Sequence, residues 1–387
     1  MYCQADLFNI PEHICYLNTA YLSPNLKNVA DAGVSAIHKK NLPYTLNPDD
    51  FFSGGEIIKN QFSRLIDSPY PERIAIIPSV SYGLANAANN IPHKDQGEIL
   101  LLDEEFPSNV YVWQRLAKKK SYKIRFIQCS TNNGSWTENI LKAIHEKTLV
   151  VSMSTVHWTN GYAFDLPSIR KKTSELGIPF ILDGTQSIGA LPFSLKECPV
   201  DALICAGYKW LFGPYGLGLA YYGPLFDQGV PIEENWINRM RSEDFSHLTD
   251  YSAEYRPGAF RYNVGESAQF FQMPMLSAAL DQILKWSPES IQNYCRNLRD
   301  KLEKLLIENG FEGMTDFRYF PGHLFPINLS RLQWSPGALN NFLRANYIYV
   351  SVRGSYLRIA PHVYNHEAHL EQLVLSLAGA RDQGAFK

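Results

Sequence analysis

Residues 178–222 hold two apolar runs that each lead into a group an apolar strand does not need. IPFIL runs into Asp183, and ALICAG runs through Tyr208 into Lys209. In an open α/β sheet, chemistry gathers at the carboxyl ends of strands. A carboxylate and an amine delivered to that edge suit pyridoxal phosphate. The lysine forms the Schiff base, and the carboxylate keeps the pyridine nitrogen protonated. Asp183 and Lys209 are therefore the catalytic candidates. Burial would hold the lysine amine partly deprotonated, as the reaction requires. Gln186, three residues after Asp183, is placed to hydrogen-bond the ring hydroxyl. Either residue alone is weak evidence, since many domains carry an Asp after a strand and many lysines sit on surface loops. The pair gains weight from Trp210, Gly213, Pro214, Gly216 and Gly218, which predict a tight turn into a further strand, LGLAYY.

DGTQS followed by AGYKWLFGPYGLG resembles the class V aminotransferases of the fold type I pyridoxal-phosphate enzymes. That superfamily includes isopenicillin N epimerase-like proteins, cysteine desulfurases and kynureninase. The resemblance runs from about residue 15 to the C-terminus. It implies a large, mainly parallel α/β sheet domain, a small C-terminal α+β domain, and a homodimer with shared active sites.

The surrounding elements must position a cofactor and a substrate. RIAIIP reads as a buried strand that turns at SVSYG into a helix. A helix N-terminus offers unpaired N–H groups and a positive dipole end, which seat a phosphate. Ser79, Val80 and Ser81 match the family's phosphate-binding turn; Ser79 also reads as an ordinary N-cap. EILLLD is the next strand. Phe106, just past it, matches the position of a ring stacked on the pyridine, and it cannot move protons as the histidine of desulfurases does. Asn109 and Trp113 are outer candidates. Tyr208 stands where relatives often have His and is a candidate for the cofactor phosphate, whereas Ala206 replaces a Ser that often binds it.

Substrate candidates are spread along the chain. LVVSMS leads into STVHWTNG, where Trp158 stands in place of an Asn common in relatives. This predicts a bulkier, more aromatic pocket. His157 reads as a substrate contact or as a satisfied structural histidine. Asn18 and Tyr21 belong to a segment that borders the pocket in the family. Arg358, in YLRIAPHVYN, matches the family arginine for the substrate α-carboxylate, which a guanidinium fork fits bidentately. Arg353 is a second candidate. Only GSYL separates the two arginines, where desulfurases carry a mobile Cys-bearing loop. Residues 231–268 form a long irregular stretch of the kind that is usually functional. In the family it reaches the neighbouring subunit's site. Here Glu266 follows Gly265 where relatives often have a phosphate-binding Thr, so Arg261 and Asn263 are the alternative donors.

At 387 residues the chain exceeds one comfortable core. The expected division is an N-terminal arm over 1–25, a large domain over 26–268 and a small α+β domain over 269–387, with residues 1–15 loose. The net charge of −2 supplies no basic face for nucleic acid or membrane. The six cysteines show no regular pairing, which favours reduced thiols and a cytoplasmic location. GPYGLG lacks the helix that a dinucleotide fingerprint needs. His362 and His366 lack both a helix and a third ligand, so no metal is expected.

The sequence thus reads as an enzyme using pyridoxal 5′-phosphate on an amino acid or amine, with aminotransferase leading and a keto acid as co-substrate. An amino-acid epimerase or β-lyase on the same fold stays open. The reading from another class is a non-catalytic binding or regulatory protein, which loss of Asp183 or Lys209 would have favoured.

Overall fold

A computed structural model describes residues 1–128, 135–313, 317–329 and 335–382. Seven strands make the main sheet. They are β2 (Ile74–Ile77), β3 (Glu98–Leu102), β4 (Lys123–Ile127), β5 (Thr148–Ser154), β6 (Phe180–Asp183), β7 (Ala202–Ala206) and β8 (Gly218–Tyr222). A short first strand, β1 (Cys15–Tyr16), lies outside this sheet. The order is β2-β8-β7-β6-β5-β3-β4, with β8 antiparallel to both neighbours and the pairs from β7 across to β4 parallel.

Strands β2 and β5 to β8 are buried along their whole length, which is why they read as unbroken apolar runs. Their alternate side chains feed two cores. Leu100, Leu102, Leu182 and Leu203 join one cluster, while Ile99, Leu101, Ile181 and Ile204 join the other. Helices cover both faces. On one side lie α1 (Lys27–Lys40) and α2 (Ser53–Leu65), on the other α3 (Val80–Asn89) and α4 (Ser108–Lys120). Further along the chain come α5 (Trp136–Ala143), α6 (Leu166–Glu175) and α7 (Gln272–Trp286). The apolar stripe of α7, from Met273 through Leu276 and Leu280 to Ile283, packs on α1 and α2 in the first cluster.

A second, three-stranded antiparallel sheet has the order β11-β12-β9, from β9 (Phe325–Asn328), β11 (Ser351–Arg353) and β12 (Tyr356–Ile359). The short β10 (Ile348–Tyr349) pairs in parallel with β1. Helices α8 (Pro288–Glu308), α9 (Pro336–Ala345) and α10 (Glu367–Asp382) enclose a separate core with Ile327, Leu357 and Ile359. The expected fold class is therefore observed: a large, mostly parallel α/β sheet and a smaller α+β unit.

The expectation of a loose arm over residues 1–15 does not hold. Gln4 N donates to Val363 O at 2.7 Å, and Phe8, 4% exposed, packs on Phe212 and Tyr364. One buried aromatic is enough to tie down a polar segment, and hydropathy averaged over the segment hides it. Residues 231–268 carry only short 3-10 turns among irregular chain, as the sequence predicts.

Candidate functional site

The chain lays β3 beside β4, then returns to place β5 on the other side of β3. That reversal opens a crevice at the carboxyl ends of β3 and β5, the usual ligand position in such sheets. A cavity of about 230 Å³ lies along this edge. Its wall takes residues from the ends of β2, β3, β5, β6 and β7 and from the turn into β8.

Asp183 ends β6 and Lys209 follows the neighbouring β7. The turn between Lys209 and β8 folds back tightly. Gly207 N donates to Leu217 O at 2.9 Å, and a Cβ on Gly207 would come within 2.5 Å of that oxygen. Only glycine permits this approach, so the turn that presents Lys209 depends on it.

Both groups are buried, at 5% and 7% exposure. Burial pushes the Asp183 carboxyl up from its ordinary value. Hydrogen bonding from Thr185, whose N–H donates to Oδ1 at 2.9 Å, and the nearby Lys209 charge oppose that. Lys209 is pulled down to about 8, first by burial; Asp183 opposes this, and Arg358 and Arg353 add to it. A lysine near neutrality beside a buried carboxylate is a base and nucleophile in waiting. Its Nζ lies 5.7 Å from the centroid of each of the Phe106 and Tyr208 rings.

Ser79 is the N-cap of α3. Its Oγ accepts from Tyr82 N at 3.2 Å and lies 2.9 Å from Ser81 Oγ. Ser79, Val80 and Ser81 line the cavity, so the dipole end of a ten-residue helix opens on it. Phe106, after β3, and Trp158, after β5, also line the cavity and meet edge to face at 5.4 Å. Tyr208 packs on Tyr215 at 4.6 Å. Gln186 also lines the cavity. Its Oε1 accepts from Trp210 Nε1 at 3.0 Å and its Nε2 donates to Ala20 O at 3.2 Å, leaving one amide hydrogen for a ligand.

Asp183, Lys209, Ser79, Val80, Ser81, Phe106, Gln186, Tyr208 and Trp158 are thus gathered around one cavity. His157, Asn18, Tyr21, Arg353 and Arg358 are not part of its lining, and Tyr21 and Arg353 line a neighbouring cleft. His157 is fully buried; its Nε2 donates to Asp103 O at 3.2 Å and its Nδ1 accepts from Thr159 Oγ1 at 2.8 Å. Burial pushes it down to about 4. Asn18 accepts from Ser351 Oγ at 2.8 Å and borders a neighbouring cleft. Arg358, 1% exposed, donates from Nη1 to Trp158 O at 2.6 Å, while its Nε has no partner. Among the outer candidates, Asn109 Oδ1 accepts from Trp113 Nε1 and Ser152 Oγ, and Asn263 Oδ1 accepts from Ile76 N, so both serve the scaffold. Arg261 Nη1 donates to Gly229 O, and Glu266 takes a left-handed backbone, φ 57°.

Glu105 was not expected. It lines the cavity at 5% exposure and accepts from Phe106 N and Ser154 N, both at 2.8 Å, pinning the end of β3 to the end of β5. Burial drives its carboxyl up to about 7, and Asp183 adds to this. The signal in the sequence was the run of three acids, Asp103, Glu104 and Glu105, that follows the apolar residues of β3. Thr185 was missed as well; its Oγ1 accepts from Ala206 N, so it braces β6 against β7.

A profile of the aminotransferase class-V family matches residues 49–356. Bacillus subtilis (strain 168) has an uncharacterized aminotransferase, YcbU, that is 24% identical over 324 residues, covering 84% of this chain and 83% of the relative. Isopenicillin N epimerase of Streptomyces clavuligerus is 25% identical over 335 residues, covering 82% of each. Among solved structures, the cystine C–S lyase C-DES with its product cysteine persulfide gives a TM-score of 0.84 at 19% identity, covering 95% of this chain and 98% of that one. A C-DES variant with glycine covalently linked to the PLP cofactor gives 0.85 at 18% identity, covering 97% and 99%. These two likenesses speak for the fold, and the profile, which spans most of the sequence, speaks for the family. The chain belongs to the aminotransferase class-V family of pyridoxal-phosphate-dependent enzymes.

Proposed function

We propose that the chain is an aminotransferase that holds pyridoxal phosphate and acts on an amino acid or amine, with a keto acid as co-substrate. One observation carries the reading: Asp183 and Lys209 come from adjacent strands into one buried cavity, onto which the N-terminus of α3 also opens.

The residues fit the cofactor in each of its parts. Lys209 would hold its aldehyde carbon, Asp183 its pyridine nitrogen and Gln186 its ring hydroxyl. The N–H groups at the start of α3, with Ser79, Ser81 and Tyr208, would hold its phosphate. Phe106 would flank its ring. When bound, the cofactor supplies an electron sink for the pair released at the substrate Cα.

The chain's own groups do the rest. Lys209 Nζ, with its proton affinity lowered by burial, takes the Cα proton. Asp183 would hold a proton on the ring nitrogen, and the Thr185 N–H that donates to its Oδ1 aims the carboxylate and favours its charged form. Arg358 is a buried cation with no ion pair among the described residues. An unpaired buried charge is costly, so a substrate carboxylate is its natural counter-ion.

The finer choice of reaction rests on what else lines the cavity. Epimerisation needs a second acid on the far face of Cα. Phe106 offers none, and both oxygens of Glu105 accept backbone N–H bonds. Sulfur transfer needs a nucleophilic thiol. No cysteine lines the cavity, Cys129 lies outside the described residues, and β11 and β12 are joined by a two-residue turn. A β-lyase is the second reading, favoured because elimination asks only for one base. The test is product analysis of the loaded protein across amino acids. A keto acid formed only with an amino acceptor present supports transfer; pyruvate and a released β-substituent without an acceptor support the lyase. A non-catalytic binding protein would give neither.

The free cysteines keep the cytoplasmic location within this proposal. Among the described residues no helix is long and apolar enough to cross a membrane. The partner of the same proposal is a second copy of the chain. A mostly apolar cleft of about 630 Å³ between α1, α2 and α7, with Phe51, Ile57 and Phe270 in its wall, is the surface it would cover.

A further inference from the structure

The hairpin β11–β12 has two unlike faces. Val352 and Leu357 pair across it and turn toward the small core. Ser351 pairs with Arg358, and Arg353 with Tyr356, so both arginines stand on the other face. Arg358 reaches back to Trp158, in the wall of the Lys209 cavity. Arg353 stands over the same indole, with its guanidinium 5.8 Å from the ring centroid. Both cations lower the hold of Lys209 on its proton, and Arg353 also lowers that of Arg358.

Arg353 also lines a second cleft, of about 670 Å³. Its wall carries Arg353 and Arg344, the tyrosines Tyr16, Tyr21 and Tyr349, and Asn18. No Asp or Glu lines it among the described residues. Arg353 spends one bond on its own strand, Nη1 to Val352 O at 2.9 Å, and its buried Nε has no partner. A half-buried guanidinium with a free donor edge, surrounded by hydroxyls and no carboxylate, is built to meet an anion.

We propose that the substrate of the Lys209 site is an amino acid with an anionic side chain, its α-carboxylate on Arg358 and its side-chain anion on Arg353, with Arg344 at the rim. This rests on the aminotransferase reading for the cofactor and for Arg358. It adds the substrate class, carboxylate or phosphate, which that reading leaves open.

The test titrates the cofactor-loaded protein with L-glutamate, O-phospho-L-serine, L-glutamine and L-norvaline, following the visible spectrum. In parallel, calorimetry compares glutarate with valerate, neither of which can react. An anionic amino acid should perturb the spectrum at least 10-fold more tightly than the neutral pair, the scale of one charge-assisted contact. Which anion wins names the source. Glutarate should bind more tightly than valerate. Arg353→Gln should abolish both preferences, and Arg353→Lys should restore part of them, with unfolding curves checking that each variant folds. Equal response to neutral and anionic ligands would overturn the proposal, as would a preference that survives Arg353→Gln. If no cofactor band forms at all, the aminotransferase reading fails, and the glutarate calorimetry still decides whether Arg353 recognises an anion.

Discussion

At the scale of single residues, the account turns on charge held out of water. Lys209 is lowered to about 8 because burial penalises its ammonium form. In cofactor-free protein, an amine-reactive probe should therefore label Lys209 with a rate that rises through about pH 8. A free lysine would rise near 10.5. Peptide mapping across a pH series measures this. Asp183 is the other half of the pair. Asp183→Asn keeps the shape and removes the charge that would hold a proton on the ring nitrogen. The variant should lose about 100- to 1000-fold in turnover, the order expected when one member of a buried ionic pair is removed. It should still fold, since Asn can accept from Thr185 N. Steady-state rates of the loaded variant, with its unfolding curve, check both parts.

Lys59 shows the same physics where no chemistry uses it. It lies on the buried face of α2 at 1% exposure, with no hydrogen-bond partner for Nζ. Burial drives it down to about 7, Glu56 opposes this, and the face of Phe260, 3.1 Å away, offsets part of the cost. A lysine lowered on folding subtracts stability at every pH below its folded value. That loss fades as pH rises from about 7 to 10.5, where both states are neutral. Lys59→Met should stabilise the protein by roughly 2 kcal/mol below pH 7, and the gain should shrink toward pH 10. Thermal unfolding over that range measures it, and a destabilised variant would show that the amine has a partner.

At the scale of elements, the parts of the site that were legible in the sequence are those fixed by strand ends. Asp183, Lys209 and Phe106 each follow an apolar run by a set number of residues, and the sheet carries them to one edge without further information. Ser79 was legible because a helix cap and a phosphate seat ask for the same residue type. His157 was harder, because two residues on one strand end point to opposite sides. Trp158 turned to the cavity and His157 into the core, against Trp136 at 4.6 Å. Glu105 was missed because its role is to join two strands distant in sequence, which no local pattern records. Phe8 was missed for a similar reason: a lone aromatic in a polar arm finds its partners, Phe212 and Tyr364, only in the folded chain.

At the scale of the whole molecule, the two sheets meet where Arg358 of the small unit bonds Trp158 of the large one. The small unit thereby brings a buried cation against a residue in the wall of the Lys209 cavity. The apolar cleft between α1, α2 and α7 predicts association through that face. Sedimentation should find a dimer, and Ile57→Asp, at a side chain 52% exposed in the cleft wall, should shift it toward monomer. A wild-type monomer at all concentrations would remove the dimer from the account.

The central claim is that Lys209 anchors pyridoxal phosphate. The direct measurement is the visible spectrum of the protein with the cofactor, followed by borohydride reduction and peptide mapping. The account predicts a visible band that reduction abolishes, with the cofactor remnant on the peptide that contains Lys209, and no such peptide from Lys209→Ala. No band with excess cofactor, or a remnant on another buried amine such as Lys59, would contradict it.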